Sequence, residues 1–149
     1  MSDPRVSIRT AEPADLDSLV SLLAALFSIE QDFVFDAPRQ RRGLALMLGN
    51  KRGCVLVAEG QGEVIGMCTG QVTISTAEGG PALLVEDVVV MEQWRGKGVG
   101  RYLLESLGGW AREQGIERLQ LLADRNNISA LDFYEALGWQ ATALVCLRK

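Results

Sequence analysis

The stretch from Val88 to Leu107, VVVMEQWRGKGVGRYLLESL, constrains the fold more than any other part of the sequence. An apolar β-branched run breaks into a basic, glycine-dense hinge. The apolar pattern then resumes at helical spacing through Val99, Leu103, Leu107, Trp110 and Ala111. A strand must therefore hand over to a helix that begins near Gly98 and runs up to Gly115. The first N–H groups of such a helix lack intrahelical partners and lie at the positive end of its dipole. Gly96, Gly98 and Gly100 let the backbone approach a bulky anion without Cβ clashes, and Arg95, Lys97 and Arg101 add charge-assisted donors. That combination is a cradle for a pyrophosphate.

Two familiar phosphate loops do not fit it. A Walker loop needs Gly-x-x-x-x-Gly-Lys-Ser/Thr, which WRGKGVGRY does not contain. A dinucleotide fingerprint needs Gly-x-Gly-x-x-Gly after the first strand of a βαβ unit. Here the spacing is Gly-x-Gly-x-Gly, and what precedes it reads as an antiparallel meander. CVLVAE (Cys54–Glu59), VIGMCTGQVTIS (Val64–Ser75) and ALLVEDVVV (Ala82–Val90) are three strands joined by the short turns GQGE and TAEGGP.

The remaining elements follow from periodicity. VSIR (Val6–Arg9) alternates as a short strand. TAEPADLDSLVSLLAALFSIEQ reads as a helix with Pro13 in its first turn and Leu16, Leu19, Val20, Leu23 and Phe27 on one stripe. A second helix starts near Pro38, carries the PRQRR cluster on its wet side and ends at Gly49. Arg118–Ala123 reads as a buried strand. Asn126 or Asn127 caps a helix that stops at Gly138, and ATALVCLRK reads as a last strand. Gly108-Gly109 inside a helix costs about 1 kcal/mol per glycine, so close packing against a strand or a bound molecule is expected there. The order β-α-α-β-β-β-α-β-α-β describes an α/β fold, a central mixed sheet with helices on both faces, as a single domain over residues 1–149.

Composition removes several classes of function. The chain has no histidine and no Cys-x-x-Cys pair, so no metal site is expected, and acid–base chemistry falls to Asp, Glu, Tyr, Lys or Cys. Cys54, Cys68 and Cys146 sit among apolar neighbours and read as buried reduced thiols. A net charge of −4 argues against a nucleic-acid partner. No run approaches the roughly 20 apolar residues of a membrane helix. MSDPRVSIRT lacks the apolar core of a signal peptide, so a cytoplasmic protein with no membrane partner is expected.

The pattern Arg95-x-x-Gly98-x-Gly100 after a strand resembles the acetyl-CoA signature of the GNAT N-acetyltransferase superfamily. NISALDFYEALGW (Asn127–Trp139) resembles that family's Asn-x-x-Ala-x-x-x-Tyr-Glu-x-x-Gly-Phe segment, with Trp139 in place of Phe. The resemblance spans essentially the whole chain, and it implies the family's fold with acetyl-CoA as co-substrate. It further implies that the Val88, Val89 and Val90 main chain bonds the pantetheine amides. The N–H groups of Arg95, Gly96, Lys97, Gly98, Val99, Gly100 and Arg101 would then hold the pyrophosphate. Asn127 would contact the pantetheine arm, and Tyr134 would lie near the thioester sulfur.

The chemistry asks for the same inventory. An alkylammonium of pKa ~10.4 must lose a proton before it attacks a thioester. Without histidine a carboxylate is the natural base, directly or through water. Glu86 is expected first, with Asp87 beside it, since relatives acting on small amines often carry this pair. Simple alternation sends the two to opposite faces, and a bulge in this strand would change that parity. The oxyanion donor is expected from the Val88–Val89 backbone, and Tyr134 could protonate the departing thiolate.

In this family the acceptor site lies between the first two helices. Phe27, Glu30, Asp32 and Phe33 from FSIEQDFVFDAP, with Glu86, are the expected acceptor residues, suiting a polyamine, an amino acid or an aminoglycoside-like amine. The rival reading is a retired domain of the same family that binds acyl-CoA as a sensor or interaction module. Eleven residues follow Gly138, which is short for two closing strands. Either one closing strand or an edge completed by a partner in a homodimer is therefore expected.

Overall fold

Period-two burial in the strands sets the architecture in the computed structural model, which describes residues 5–30 and 32–149. The elements run β1 (Val6–Thr10), α1 (Leu16–Ile29), α2 (Ala37–Leu48), β2 (Gly53–Gly60), β3 (Glu63–Ser75), β4 (Gly80–Val90), α3 (Val99–Glu113), β5 (Leu119–Leu121) and α4 (Ile128–Ala136). Short 3-10 turns at Pro13–Asp15 and Glu92–Trp94 lead into α1 and the hinge. Gln31, included in the expected first helix, lies outside the described residues, as do residues 1–4.

The sheet order is β1-β2-β3-β4-β5. The first four strands are antiparallel neighbours, and β5 joins β4 in parallel. Cys54, Leu56 and Ala58 of β2 pack with Leu103, Leu104 and Leu107 of α3 on one face. The intervening Val55 and Val57 pack with Leu19, Leu22, Leu23 and Leu26 of α1 and Leu44 of α2 on the other. Both faces of β2 are thus covered, which is why its sequence reads as a continuous apolar run rather than an alternation. Each fully buried Leu or Val in these two layers contributes roughly 1.5–3 kcal/mol.

Local chemistry fixes the ends. The turn after β2 holds Gln61 at φ 53° and Gly62 at φ 79°, the paired left-handed conformations of a two-residue hairpin. Asp15 closes a capping box before α1 and receives a fork from Arg9, at 2.7 and 2.9 Å, while Arg9 also reaches Glu59 at 2.8 Å. Arg9 holds the Asp15 carboxyl below its usual range. Asp36 caps α2 by accepting the Arg39 N–H, and α4 stops before Gly138, which takes φ 92°.

Three expectations are corrected. The last eleven residues form no strand: Leu144 and Leu147 are 86% and 90% exposed, and no ladder reaches them. The neighbouring edge explains this, because β5 is only three residues long and offers too short a template for a pairing strand. Cys146 lies in that segment and is exposed, whereas Cys54 and Cys68 are buried thiols. Gly108 and Gly109 are not pressed by a strand; a Cβ at either would meet only the Arg112 side chain, at 3.6 and 3.8 Å.

Candidate functional site

The site is organised by one extra residue in β4. Met67 of β3 faces Val89 and Thr69 faces Glu86, so Asp87 and Val88 together oppose Cys68. This is a β-bulge, and Asp87 takes φ 53° within it, a left-handed conformation that Asp tolerates better than most residues. The consequence is a change of face. Leu83 and Val85 pack on the α3 side, but Val89, two further steps along, packs with α1 and α2. Val88 and Val90 turn toward α3 instead.

The bulge also brings the two carboxylates to the same side. Asp87 lines a cavity between α1 and α2, and Glu86 accepts a hydrogen bond from Nε2 of Gln71, another lining residue, at 3.2 Å. Thr69 Oγ1 lies 3.1 Å from the Glu86 carbonyl and 3.2 Å from Asp87 Oδ2, which pins the bulge to β3. Burial, reinforced by the charge of Glu86, pushes the Asp87 carboxyl up to about 6, with Thr69 pulling the other way. Glu30, at the end of α1, is also raised, by burial first and then by the charge of Asp87.

The cavity has a volume of about 610 Å³, in the range of small-molecule sites. Leu23 and Phe27 of α1 form one wall. Arg39, Gly43 and Met47 of α2, spaced by one helical turn each, form the other with Asn50 beyond them. Gln71 and Asp87 lie on the sheet side.

On the opposite side of β4 the ladder opens. β5 pairs only Leu83–Val85, ending at Val85 opposite Leu121, so the β5-facing edge of β4 from Glu86 to Val90 has no strand partner among the described residues. The hinge follows. Trp94 is buried, and Lys97 Nζ lies over its ring at 5.2 Å. Arg95 Nε donates to the Val90 carbonyl at 3.0 Å. Gly98 caps α3 at φ 82°, and the helical ladder begins with Tyr102 N–H to Gly98 O at 3.0 Å, leaving the N–H groups of Val99, Gly100 and Arg101 pointing outward. Arg101 is held by Glu105 at 2.8 Å. Gly100 has a second reason to be glycine, since a Cβ there would stand 3.0 Å from the Phe133 ring of α4.

α4 borders this opening. Asn127 caps it by accepting the Ala130 N–H at 3.1 Å on Oδ1, and its Nδ2 has no partner among the described residues. Tyr134 packs edge-on against Phe133 and Trp139, and its hydroxyl makes no hydrogen bond among the described residues. Burial pushes its phenol up to about 12, with the charge of Glu30 adding to the shift.

Of the expected acceptor residues, Phe27 lines the cavity and Glu86 reaches it through Gln71. Phe33 packs on Phe27 at 5.2 Å but lies outside the lining, and Asp32 pairs with Arg148 at 3.6 Å. The α2 wall, with Arg39, Gln40 and Asn50, was not anticipated. Its signal was present as an i, i+4, i+8 stripe, but PRQRR reads equally well as a solvated helix start. Among the described residues no helix is long and apolar enough to cross a membrane, and no group of three metal-ligating side chains occurs.

Comparison with known proteins finds relatives in sequence and in fold. Residues 17–139 match the family model described as Acetyltransferase (GNAT) family. The chain is 28% identical over 143 residues to an aminoglycoside N(6')-acetyltransferase type 1 of Stenotrophomonas maltophilia, covering 93% of this chain and 89% of that protein. A possible acetyltransferase from Clostridium difficile 630 has the same fold, with a TM-score of 0.85 at 22% identity, covering 97% and 96% of the two chains. An acetyltransferase from Clostridium acetobutylicum, solved with acetyl-CoA, has a TM-score of 0.82 at 19% identity, with 97% and 96% covered.

Proposed function

Because this chain belongs to the acetyltransferase (GNAT) family and is an acetyl-CoA-dependent N-acetyltransferase, we propose that it moves the acetyl group directly to a primary amine of a small molecule in a ternary complex. The observation that carries this reading is the bulge in β4. It sets Asp87 in the cavity between α1 and α2, on the same strand whose other edge the short β5 leaves unpaired from Glu86 to Val90.

Acetyl-CoA supplies the thioester, and the residues of the hinge suit its anionic half. The outward N–H groups of Val99, Gly100 and Arg101, with Lys97 and Arg101, form the pyrophosphate cradle, joined by the Arg95–Gly98 backbone. The open edge at Val88–Val90 and the unengaged Nδ2 of Asn127 serve the pantetheine arm, which needs peptide-like donors and acceptors. Asp87 accepts the proton that the acceptor ammonium must lose. Burial, and then the like charge of Glu86, raise the Asp87 carboxyl and so make it a stronger base. The amine nitrogen then bonds the acetyl carbon, the carbon–sulfur bond breaks, and the electron pair leaves on sulfur. Tyr134, protonated at neutral pH, gives a proton to that sulfur. The second proton, shed by the acetylated nitrogen, restores the phenol and leaves one proton on Asp87 for release to solvent. An N–H of the Val88–Val89 backbone, on the open edge of β4, serves the oxyanion.

The reading extends to a single domain over residues 1–149, a cytoplasmic setting in keeping with the buried thiols of Cys54 and Cys68, and a homodimer. The support for a dimer is the exposed apolar carboxy-terminal segment, with Leu144, Val145 and Leu147, together with the shortness of β5; a monomer in light scattering would remove it. The retired-domain alternative lacks a favouring observation, since Asp87 and Tyr134 are both present beside the hinge. Acetyl-CoA consumption against an amine panel is the test. Turnover with free CoA release supports the reading, whereas tight CoA binding with no acetylated product on any amine contradicts it.

A further inference from the structure

The polar groups left over along the cavity, the exposed Arg39 and the half-buried Gln40 and Asn50, point in one chemical direction. Gln40 spends its Oε1 on the Asp36 N–H, at 2.6 Å, and keeps a free Nε2. Asn50 spends its Oδ1 on the Arg52 N–H, at 3.0 Å, and keeps a free Nδ2. Arg39 has no carboxylate partner among the described residues, although Arg41 of the same cluster is paired with Asp17. All three line the cavity. They offer a guanidinium and two amide donors, with no acceptor of their own to satisfy them.

Asp87 and the remaining Oε1 of Gln71 supply the opposite polarity on the sheet side. Arg39 and Asp87 share the cavity without forming an ion pair, and Leu23, Phe27, Leu44 and Met47 fill the lining around them. The site is therefore bipolar, with donors on the α2 wall, an anion on the sheet and apolar surface in between. A molecule that completes it must present a cation to Asp87, an apolar body to the helices, and an anion to Arg39.

We propose that the acceptor is an amine that also carries a carboxylate or comparable anion, and that Arg39 selects it. This rests on the N-acetyltransferase reading above and narrows it to a substrate class. A polyamine or aminoglycoside meets a different balance: the carboxylates that could receive its further cations, Glu86 and Glu30, stand with Asp87, whereas the groups along α2 are donors that repel or ignore a cation. Asp32, a carboxylate that a polycation might use, is already committed to Arg148.

The test compares matched pairs of acceptors that differ by the anion alone: leucine with isoamylamine, phenylalanine with phenethylamine, and γ-aminobutyrate with propylamine, with spermidine and kanamycin alongside. The quantity read is the ratio of kcat/KM within each pair, in the wild type and in Arg39→Glu, Arg39→Gln and Arg39→Lys. A charge-assisted bond to a carboxylate predicts at least about a tenfold preference for the anionic member of one or more pairs. The preference should collapse through KM in the Glu and Gln variants and return in part in the Lys variant. Because each ratio is internal to one variant, a general loss of folding cannot imitate that pattern. Acetylation of both members at equal efficiency, or a preference for spermidine or kanamycin, overturns the assignment while leaving the N-acetyltransferase reading intact. Failure to acetylate any amine overturns both.

Discussion

The two sides of β4 are built from different materials. On the α3 side the site is mostly backbone: an unpaired strand edge, a left-handed Gly98 and the first N–H groups of a helix, with its cations parked on Val90, Trp94 and Glu105. On the α1–α2 side it is almost all side chain, with Asp87, Arg39 and two amides set in an apolar lining. A backbone site is general and suits a co-substrate whose phosphates and amides never change. A side-chain site can be re-specified by point substitution without disturbing the sheet. The bulge at Asp87 joins them, because it is where β4 turns its side chains from one face to the other.

The contrast can be broken most strongly at the bulge. Asp87→Asn keeps a residue that accepts φ 53° and removes the charge, and it should lower kcat by about 10²–10⁴-fold. The same variant should be more stable than the wild type above pH 6. A carboxyl whose folded pKa is raised to about 6 binds more protons when folded than when unfolded between roughly pH 4 and 6. The wild type therefore loses stability as pH rises through that window, on the order of 2–3 kcal/mol. Thermal melts at pH 4 and pH 8 check this: the two proteins should diverge at pH 8 and approach each other at pH 4.

Tyr134→Phe comes next. It removes one hydroxyl from the α4 wall and should cost about a hundredfold in kcat while leaving acetyl-CoA affinity nearly unchanged, as a titration would report. A change in the backbone half behaves differently. Gly100→Ala forces a Cβ to within 3.0 Å of Phe133, so α3 and α4 must separate. It should cost about 1–3 kcal/mol in stability and weaken acetyl-CoA binding more than it slows bound turnover. Smallest of all, Glu105→Ala frees Arg101 from an exposed pair and should tighten CoA binding by a factor of about two to five at low salt. Isothermal titration would measure it.

The same contrast explains what could be read from the sequence. A backbone site needs particular residues at particular spacings, so Gly96, Gly98 and Gly100 with their cations stand out in a linear string. The central strands and helices were legible for a related reason, since two-sided burial of β2 and the apolar face of α3 write their periods directly into residue type. The α1–α2 cavity was not legible, because its residues are ordinary ones brought together by packing. Arg39 reads as a solvated charge until Phe27 and Asp87 are seen across from it. Whether Glu86 and Asp87 share a face also depended on a bulge, and one extra residue in a strand leaves no compositional trace. The closing strand failed for the converse reason: ATALVCLRK has strand-like residues, but a strand needs an edge to pair with, and β5 provides three residues.

The central claim is that the bulge makes Asp87 the proton acceptor between cavity and thioester. The most direct measurement is the pH dependence of kcat/KM for wild type and Asp87→Asn with one acetylated amine. The account predicts an acidic limb near pH 6 in the wild type, and in the variant a loss of that limb together with the fall in rate. An Asp87→Asn enzyme that keeps both the wild-type rate and the same limb would contradict it.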